Sequence, residues 1–192
     1  MGDVDYAARR RRLVDGLWRR TDASERTLSA IAAVPRHEFV PADRRSHAYE
    51  DRPLPIGHGQ TISAPHMVAI MTDLLAVSPG DRVFEVGTGC GYHAAVVAEI
   101  VGGETVYSAE YVPELADAAR DRLDRLGYDV TVRAADARTA FENRPPFDAT
   151  YLTCAADGAV PAAILDRTRV GGRVVAPVET SGSAGGAGRA ET

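Results

Sequence analysis

Asp81-Arg82-Val83-Phe84-Glu85-Val86-Gly87-Thr88-Gly89-Cys90-Gly91-Tyr92 is the stretch whose reading decides the fold. A short apolar run, Val83 to Val86, carries one acid and is followed by glycines at the alternate positions 87, 89 and 91. An apolar run of this length bounded by glycine reads as a buried strand, here turning into a helix that begins near Tyr92. Glycines at such a turn adopt backbone angles that other residues resist, and they let a ligand come close. The helix behind them presents free N–H groups and the positive end of its dipole to an anionic ligand group. The pattern predicts a nucleotide-type binding turn.

Working outward, the downstream chain alternates regularly. Helices are predicted over 93–101, 113–126 and 160–168, and strands over 105–109, 130–134, 147–153 and 173–178. Strands separated by helices imply right-handed crossovers and a parallel sheet covered on both faces. The expected fold class is α/β, an open doubly wound sheet of five strands, with ligands beyond the carboxyl ends of the strands beside the first one.

Upstream, apolar residues at helical spacing predict an amphipathic helix over 5–20, with Arg9 to Arg12 on its solvated face. A second helix is expected over 24–33, with Asp22 and Glu25 spaced as a capping box. Residues 36–64 show no long period and read as an irregular connection, and one of that length inside a compact domain is usually functional. Ser63 reads as the N-cap of a further helix with Pro65 in its first turn, burying Val68, Met71, Leu74 and Leu75.

The 192 residues suffice for one domain with a substantial core, and 45% apolar with 26% charged residues is ordinary for a globular protein. The expected division is one domain over 1–178, helical over 1–80 and sheet-forming over 81–178. A Gly/Ser/Ala tail over 179–192 is expected to be disordered. No apolar run reaches the length of a membrane span and no signal-peptide core is visible, so a cytoplasmic location without membrane contact is expected. A net charge of −5 argues against nucleic acid as the main partner. Cys90 and Cys154 are read as free buried thiols, and His37, His47 and His58 lack metal-ligand spacing, so no metal is expected.

A dinucleotide fingerprint would require a third glycine at position 92, which is tyrosine. Glu85-Val86-Gly87-Thr88-Gly89-Cys90-Gly91, with an acid two places before strictly alternating glycines, instead resembles the first motif of Rossmann-like S-adenosylmethionine-dependent methyltransferases. Under that reading Glu85, Gly87, Thr88, Gly89 and Gly91 belong to the cofactor site. Glu110, at the second strand's end, is placed to accept from the ribose hydroxyls, beside Tyr111. Asp136, past the third strand and beside Ala137, is placed to accept from the adenine amino group.

Pro53-Leu54-Pro55-Ile56-Gly57-His58-Gly59-Gln60-Thr61-Ile62-Ser63-Ala64-Pro65-His66-Met67 resembles the signature of protein-L-isoaspartate O-methyltransferases, and the likeness runs through Ala32 to Pro41, Val83 to Ala98 and Phe147 to Pro177. The resemblance implies methyl transfer from S-adenosyl-L-methionine to the free carboxylate of L-isoaspartyl residues in damaged proteins. It also implies a catalytic Ser63, with Thr61 and Ile62 beside it at the substrate. A carboxylate is ionised at neutral pH, so this chemistry needs no general base.

The sequence departs from the family at two places. Ala135 and Ala137 flank Asp136 where the family usually has glycines, and after Val178 comes the Gly/Ser/Ala tail where the family continues with two more strands. The strand around Val174 is therefore expected at an uncovered edge, a route to self-association. Two other readings stay open: a weakened cofactor-binding paralogue acting by interaction, and a methyltransferase of another substrate such as RNA, which the acidic charge opposes.

Overall fold

The computed structural model describes residues 4–179. The expectation of a disordered tail over 179–192 falls almost wholly outside them. At the centre is a five-stranded sheet in the order β5-β4-β3-β6-β8, comprising β3 (Val83–Val86), β4 (Val106–Glu110), β5 (Thr131–Ala134), β6 (Phe147–Leu152) and β8 (Thr168–Val175). Every neighbouring pair is parallel. The chain starts in the middle, at β3, and winds outward both ways. The order therefore reverses at β3, and a crevice opens at the strand ends there.

Alternation along β3 shows how both faces are covered. Val83 joins a core built with α1 (Tyr6–Arg20), α2 (Glu25–Ala33), α3 (Pro65–Leu75) and α4 (Tyr92–Val101), and it packs among Leu17, Ile31, Val68 and Val97. Phe84 points the other way, stacked on Phe147 at 5.1 Å and edge-on to Phe141 at 5.9 Å. Burying one such aromatic stabilises the fold by roughly 1.5–3 kcal/mol relative to leaving it in water. Helix α5 (Pro113–Arg125) covers β4 and β5 through Leu115, Ala116, Ala119 and Leu123.

Several expectations need correction. The stretch 36–64 contains a hairpin, β1 (Leu54–Gly57) paired antiparallel with β2 (Gln60–Ile62). Its turn runs through Gly57, His58 and Gly59 at positive φ, a geometry invisible to hydrophobic periodicity. The cap of α2 is Ser24, whose side chain accepts from the Thr27 amide, and not the Asp22 box. Ser63 does not cap α3: Ala64 occupies the cap position without a side-chain bond. Pro65 has no N–H to offer, and the next free amide, His66, is taken at 2.9 Å by the Asp51 carboxylate from a distant loop. Leu74 is 53% exposed, beside the half-exposed Met67 and Ile70, because nothing packs over that face of α3 among the described residues.

The last helix is a single turn, α6 (Ala162–Leu165), and β8 begins well before the predicted strand. Its pairing with β6 jumps from Phe147↔Thr168 to Ala149↔Arg173, so Arg169 to Gly172 bulge outward with Val170 fully exposed. A short parallel pair follows, β7 (Ala156–Asp157) with β9 (Val178–Glu179). Among the described residues β8 is an edge of the main sheet. Cys90 is buried and Cys154 exposed, so only the first matches the expectation of two buried thiols.

Candidate cofactor and substrate site

The carboxyl ends of β3, β4, β5 and β6 open into a cavity of about 520 Å³, walled by Gly87 and Gly89 from the turn, Glu110 and Tyr111 after β4, Asp136 and Ala137 after β5, and Thr153 after β6. Gln60 and Thr61 from the hairpin, and Ser63 just after it, also line this cavity. A smaller cavity adjoins, where Ile62 and Ser63 meet Thr88, Tyr92 and Thr153. The fold thus brings the glycine turn and the hairpin, which ends about 25 positions earlier in the sequence, to the lining of one space.

The turn is held by its neighbours. Gly87 has φ +93°, and a Cβ built there would collide with the Thr153 hydroxyl, which donates to the Gly87 carbonyl at 2.5 Å. The Gly89 amide donates to Glu110 Oε2 at 2.8 Å, while Glu110 Oε1 accepts from the Val112 amide at 3.0 Å. Glu110 is therefore oriented by backbone before any ligand arrives. Each carboxylate oxygen keeps further acceptor capacity for a diol.

Three residues expected at the cofactor occupy other places, and the first, Thr88, is buried and lines only the smaller cavity, its hydroxyl bonded to that of Ser108. Glu85 is fully buried beneath the turn and does not line the cavity. Its cross-strand neighbours in the sheet are Ser108 and Tyr151, and both hydroxyls donate to it, Tyr151 at 2.8 Å. Burial, only partly offset by those hydrogen bonds, pushes its carboxyl up to about 8. Gly91 likewise lies off the cavity. It precedes α4 as its N-cap at φ +87°, and a Cβ there would meet Leu123 at 3.1 Å, so its glycine serves helix packing.

Asp136 lies at the cavity wall in a bidentate pair with Arg138, Nη2 to Oδ2 at 2.6 Å, and it also accepts from the Arg138 amide at 2.8 Å. The guanidinium bonds first, and the amide second, hold its carboxyl down to about 2. Ala135 and Ala137 both line the cavity. Tyr111 is 80% exposed at the rim. Sequence reasoning missed Thr153, Cys154 and Arg138, although Thr153 and Cys154 directly follow a central strand next to β3, which is itself a signal for a ligand contact.

The Arg-rich face of α1 stands apart from this cavity. Arg9, Arg12 and Arg20 line a separate cleft of about 340 Å³ with Glu50 and Asp51, and Arg20 pairs with Asp51 at 3.2 Å. His37 bonds Tyr49 and His47 bonds Glu50, and no cluster able to hold a metal occurs among the described residues.

The sequence profile described as Protein-L-isoaspartate(D-aspartate) O-methyltransferase (PCMT) matches residues 8–185. The chain belongs to this family. Among PCMT relatives, protein-L-isoaspartate O-methyltransferase 2 of Archaeoglobus fulgidus is 51% identical over 180 residues, covering 93% of this chain and 82% of that protein. The Methanothrix thermoacetophila enzyme is 49% identical over 172 residues, covering 88% and 80%. A solved protein-L-isoaspartate O-methyltransferase superposes with a TM-score of 0.80 at 29% identity, over 88% of this chain and 55% of that one. A Plasmodium falciparum PCMT structure in complex with S-adenosyl-L-homocysteine shares the fold at 24% identity, with a TM-score of 0.77 over 90% of this chain and 85% of that one.

Proposed function

We propose that this PCMT chain is a protein repair enzyme that moves a methyl group from S-adenosyl-L-methionine to the free carboxylate of L-isoaspartyl residues in damaged proteins. The observation that carries the reading is one cavity lined by the glycine turn, Glu110 and Asp136 together with Thr61 and Ser63. The cradle suits the cofactor: a close backbone approach at Gly87 and Gly89, an oriented acid, Glu110, that we assign to a ribose, and a second acid in the same lining, Asp136, that we assign to an adenine amino group. No basic residue among those lining it demands a pyrophosphate except Arg138, which is already paired.

When bound, the cofactor supplies a methyl group on a sulfonium, and transfer to the carboxylate oxygen breaks the carbon–sulfur bond with its electron pair leaving on sulfur. The chain's own residues have the smaller tasks of alignment and water exclusion. Ser63 is half-buried at the junction of the two cavities, and its hydroxyl, free of capping duty, can donate to the substrate carboxylate. Thr61 is exposed on the hairpin strand that ends just before Ser63, and Ile62 between them is buried. Glu85 we assign to support beneath the turn.

Residues 1–178 act as one methyltransferase unit in this reading. A cytoplasmic setting accords with the two free thiols. Nucleic acid is disfavoured as substrate by the net charge of −5. The β8 edge, with Val170 fully exposed, supports self-association, which light scattering over a concentration series would detect and a constant monomer mass would refute. The test of the activity itself is methyl transfer to an isoaspartyl peptide beside its normal-aspartyl control. Methylation of the first alone is expected, and methylation of neither would leave the paralogue reading in place.

A further inference from the structure

Arg36 is a charged side chain with no exposure at all, a placement that is costly unless the group is used. It opens the 3-10 turn Arg36–Glu38 that follows α2. Its Nε donates to the Ala48 carbonyl at 2.9 Å, and its Nη2 donates to the Ser63 carbonyl at 2.9 Å and reaches the Arg52 carbonyl at 3.5 Å. Its Cζ stands 4.7 Å above the centre of the Tyr92 ring. Nη1 has no hydrogen-bond partner among the described residues. The charge is thus met by carbonyl oxygens and an aromatic face, and a planar fork of several donors is what can grip them at once.

Those partners are the parts that place Ser63. Ala48 and Arg52 flank Asp51, whose carboxylate holds the first free amide of α3 just beyond Ser63. Tyr92 is the first residue of α4, directly after the glycine turn, and it is packed edge-on by Phe39 at 5.5 Å. One side chain therefore ties the Asp51 loop, the backbone of Ser63 and the helix behind the cofactor turn. A leucine or methionine would fill the same space without joining any of them. We propose that Arg36 is a positioning residue for methyl transfer, its guanidinium holding the Ser63 backbone in register with the glycine turn. The inference rests on the reading of Ser63 as the substrate contact.

The test uses the full chain with S-adenosylmethionine and an isoaspartyl peptide. Arg36→Lys keeps the charge but not the fork, and Arg36→Met keeps the volume. Both are compared with Leu17→Ala, a core truncation in α1 that lines neither cavity, at a temperature where all are folded. The expectation is a kcat lowered about ten-fold or more in both Arg36 variants. Cofactor affinity by calorimetry should stay within about three-fold of wild type, and Leu17→Ala should keep its kcat despite a similar fall in Tm. A wild-type kcat in Arg36→Lys, or equal kcat losses in Leu17→Ala, overturns the proposal.

Ser63→Ala separates the two readings. Unchanged turnover in that variant removes the role of Ser63, whereas a crippled Ser63→Ala beside an intact Arg36→Lys removes Arg36 alone. Should neither Arg36 variant fold, nitrogen-15 spectra of the wild-type arginines decide. Separate, slowly exchanging Arg36 Nη signals that move when isoaspartyl peptide joins S-adenosylhomocysteine support the proposal, and one averaged signal indifferent to peptide refutes it.

Discussion

The Gly89 amide donates a 2.8 Å hydrogen bond to the Glu110 carboxylate, so the glycine turn after β3 is clamped to the end of β4 by the acid assigned to the ribose. Glu110→Gln keeps one acceptor oxygen and replaces the other with an NH2 group that cannot accept. A loss of about 1–3 kcal/mol in cofactor binding is expected, equivalent to roughly a 5- to 150-fold weaker Kd. Calorimetry with S-adenosylhomocysteine checks this, and an unchanged Kd would remove Glu110 from the cofactor site.

Ser63 carries its hydroxyl beside the cavity with no helix to cap. Ser63→Ala is expected to leave cofactor affinity near wild type and lower turnover of an isoaspartyl peptide by about ten-fold or more, the scale of one lost transition-state hydrogen bond. Steady-state kinetics on the peptide, alongside calorimetry, supply both numbers.

Gly87 and Thr153 are in close contact, the Thr153 hydroxyl donating to the Gly87 carbonyl at 2.5 Å. Gly87→Ala places a side chain at φ +93° and against the Thr153 hydroxyl, at an expected cost of about 1–3 kcal/mol together with weakened cofactor binding. Adding Thr153→Ala relieves the collision but not the backbone strain. Denaturation of both single variants and the double variant should therefore show a positive but incomplete coupling; strict additivity would mean that the contact is not the cause.

Glu85 gives a pH dependence with a definite sign. Its carboxyl is pushed up to about 8 in the fold by burial, against an unperturbed value near 4.5, so the folded state binds a proton that the unfolded state releases. Its contribution is complete below pH about 4.5 and is lost as the pH rises toward 8, on the order of a few kcal/mol across that window. Urea denaturation of wild type and Glu85→Gln between pH 5 and 8 checks it. The wild type should lose stability with rising pH more steeply than the variant, and parallel curves would contradict the assignment.

Much of the fold was legible because local chemistry and global arrangement agree over residues 81–152. Apolar runs of strand length, glycine and proline at their ends, and helical periods between them leave few arrangements besides a parallel doubly wound sheet. Legibility failed where a distant group overrode a local signal. Ser63 before Pro65 has every local mark of a helix cap, yet Asp51 takes the amide it would have bonded. Leu74 fits the buried stripe of α3 by spacing, yet it is exposed because no described element covers it. The hairpin at 54–62 rests on positive φ at His58 as well as at its glycines, and no periodicity announces that.

The sequence by itself determined the glycine turn, the acids at the strand ends, the alternation of the five main strands with helices, and the family. All of these reside in residue type and spacing along the chain. The tertiary structure decided which groups reach the cavity. It sank Glu85 between Ser108 and Tyr151, turned Gly91 toward Leu123, brought Thr153 under Gly87, and set Arg36 behind Ser63. The physical reason is that burial and hydrogen-bond partners belong to neighbours in space: a glutamate in a central strand and an arginine after a helix acquire their roles only when the sheet and the loops close around them.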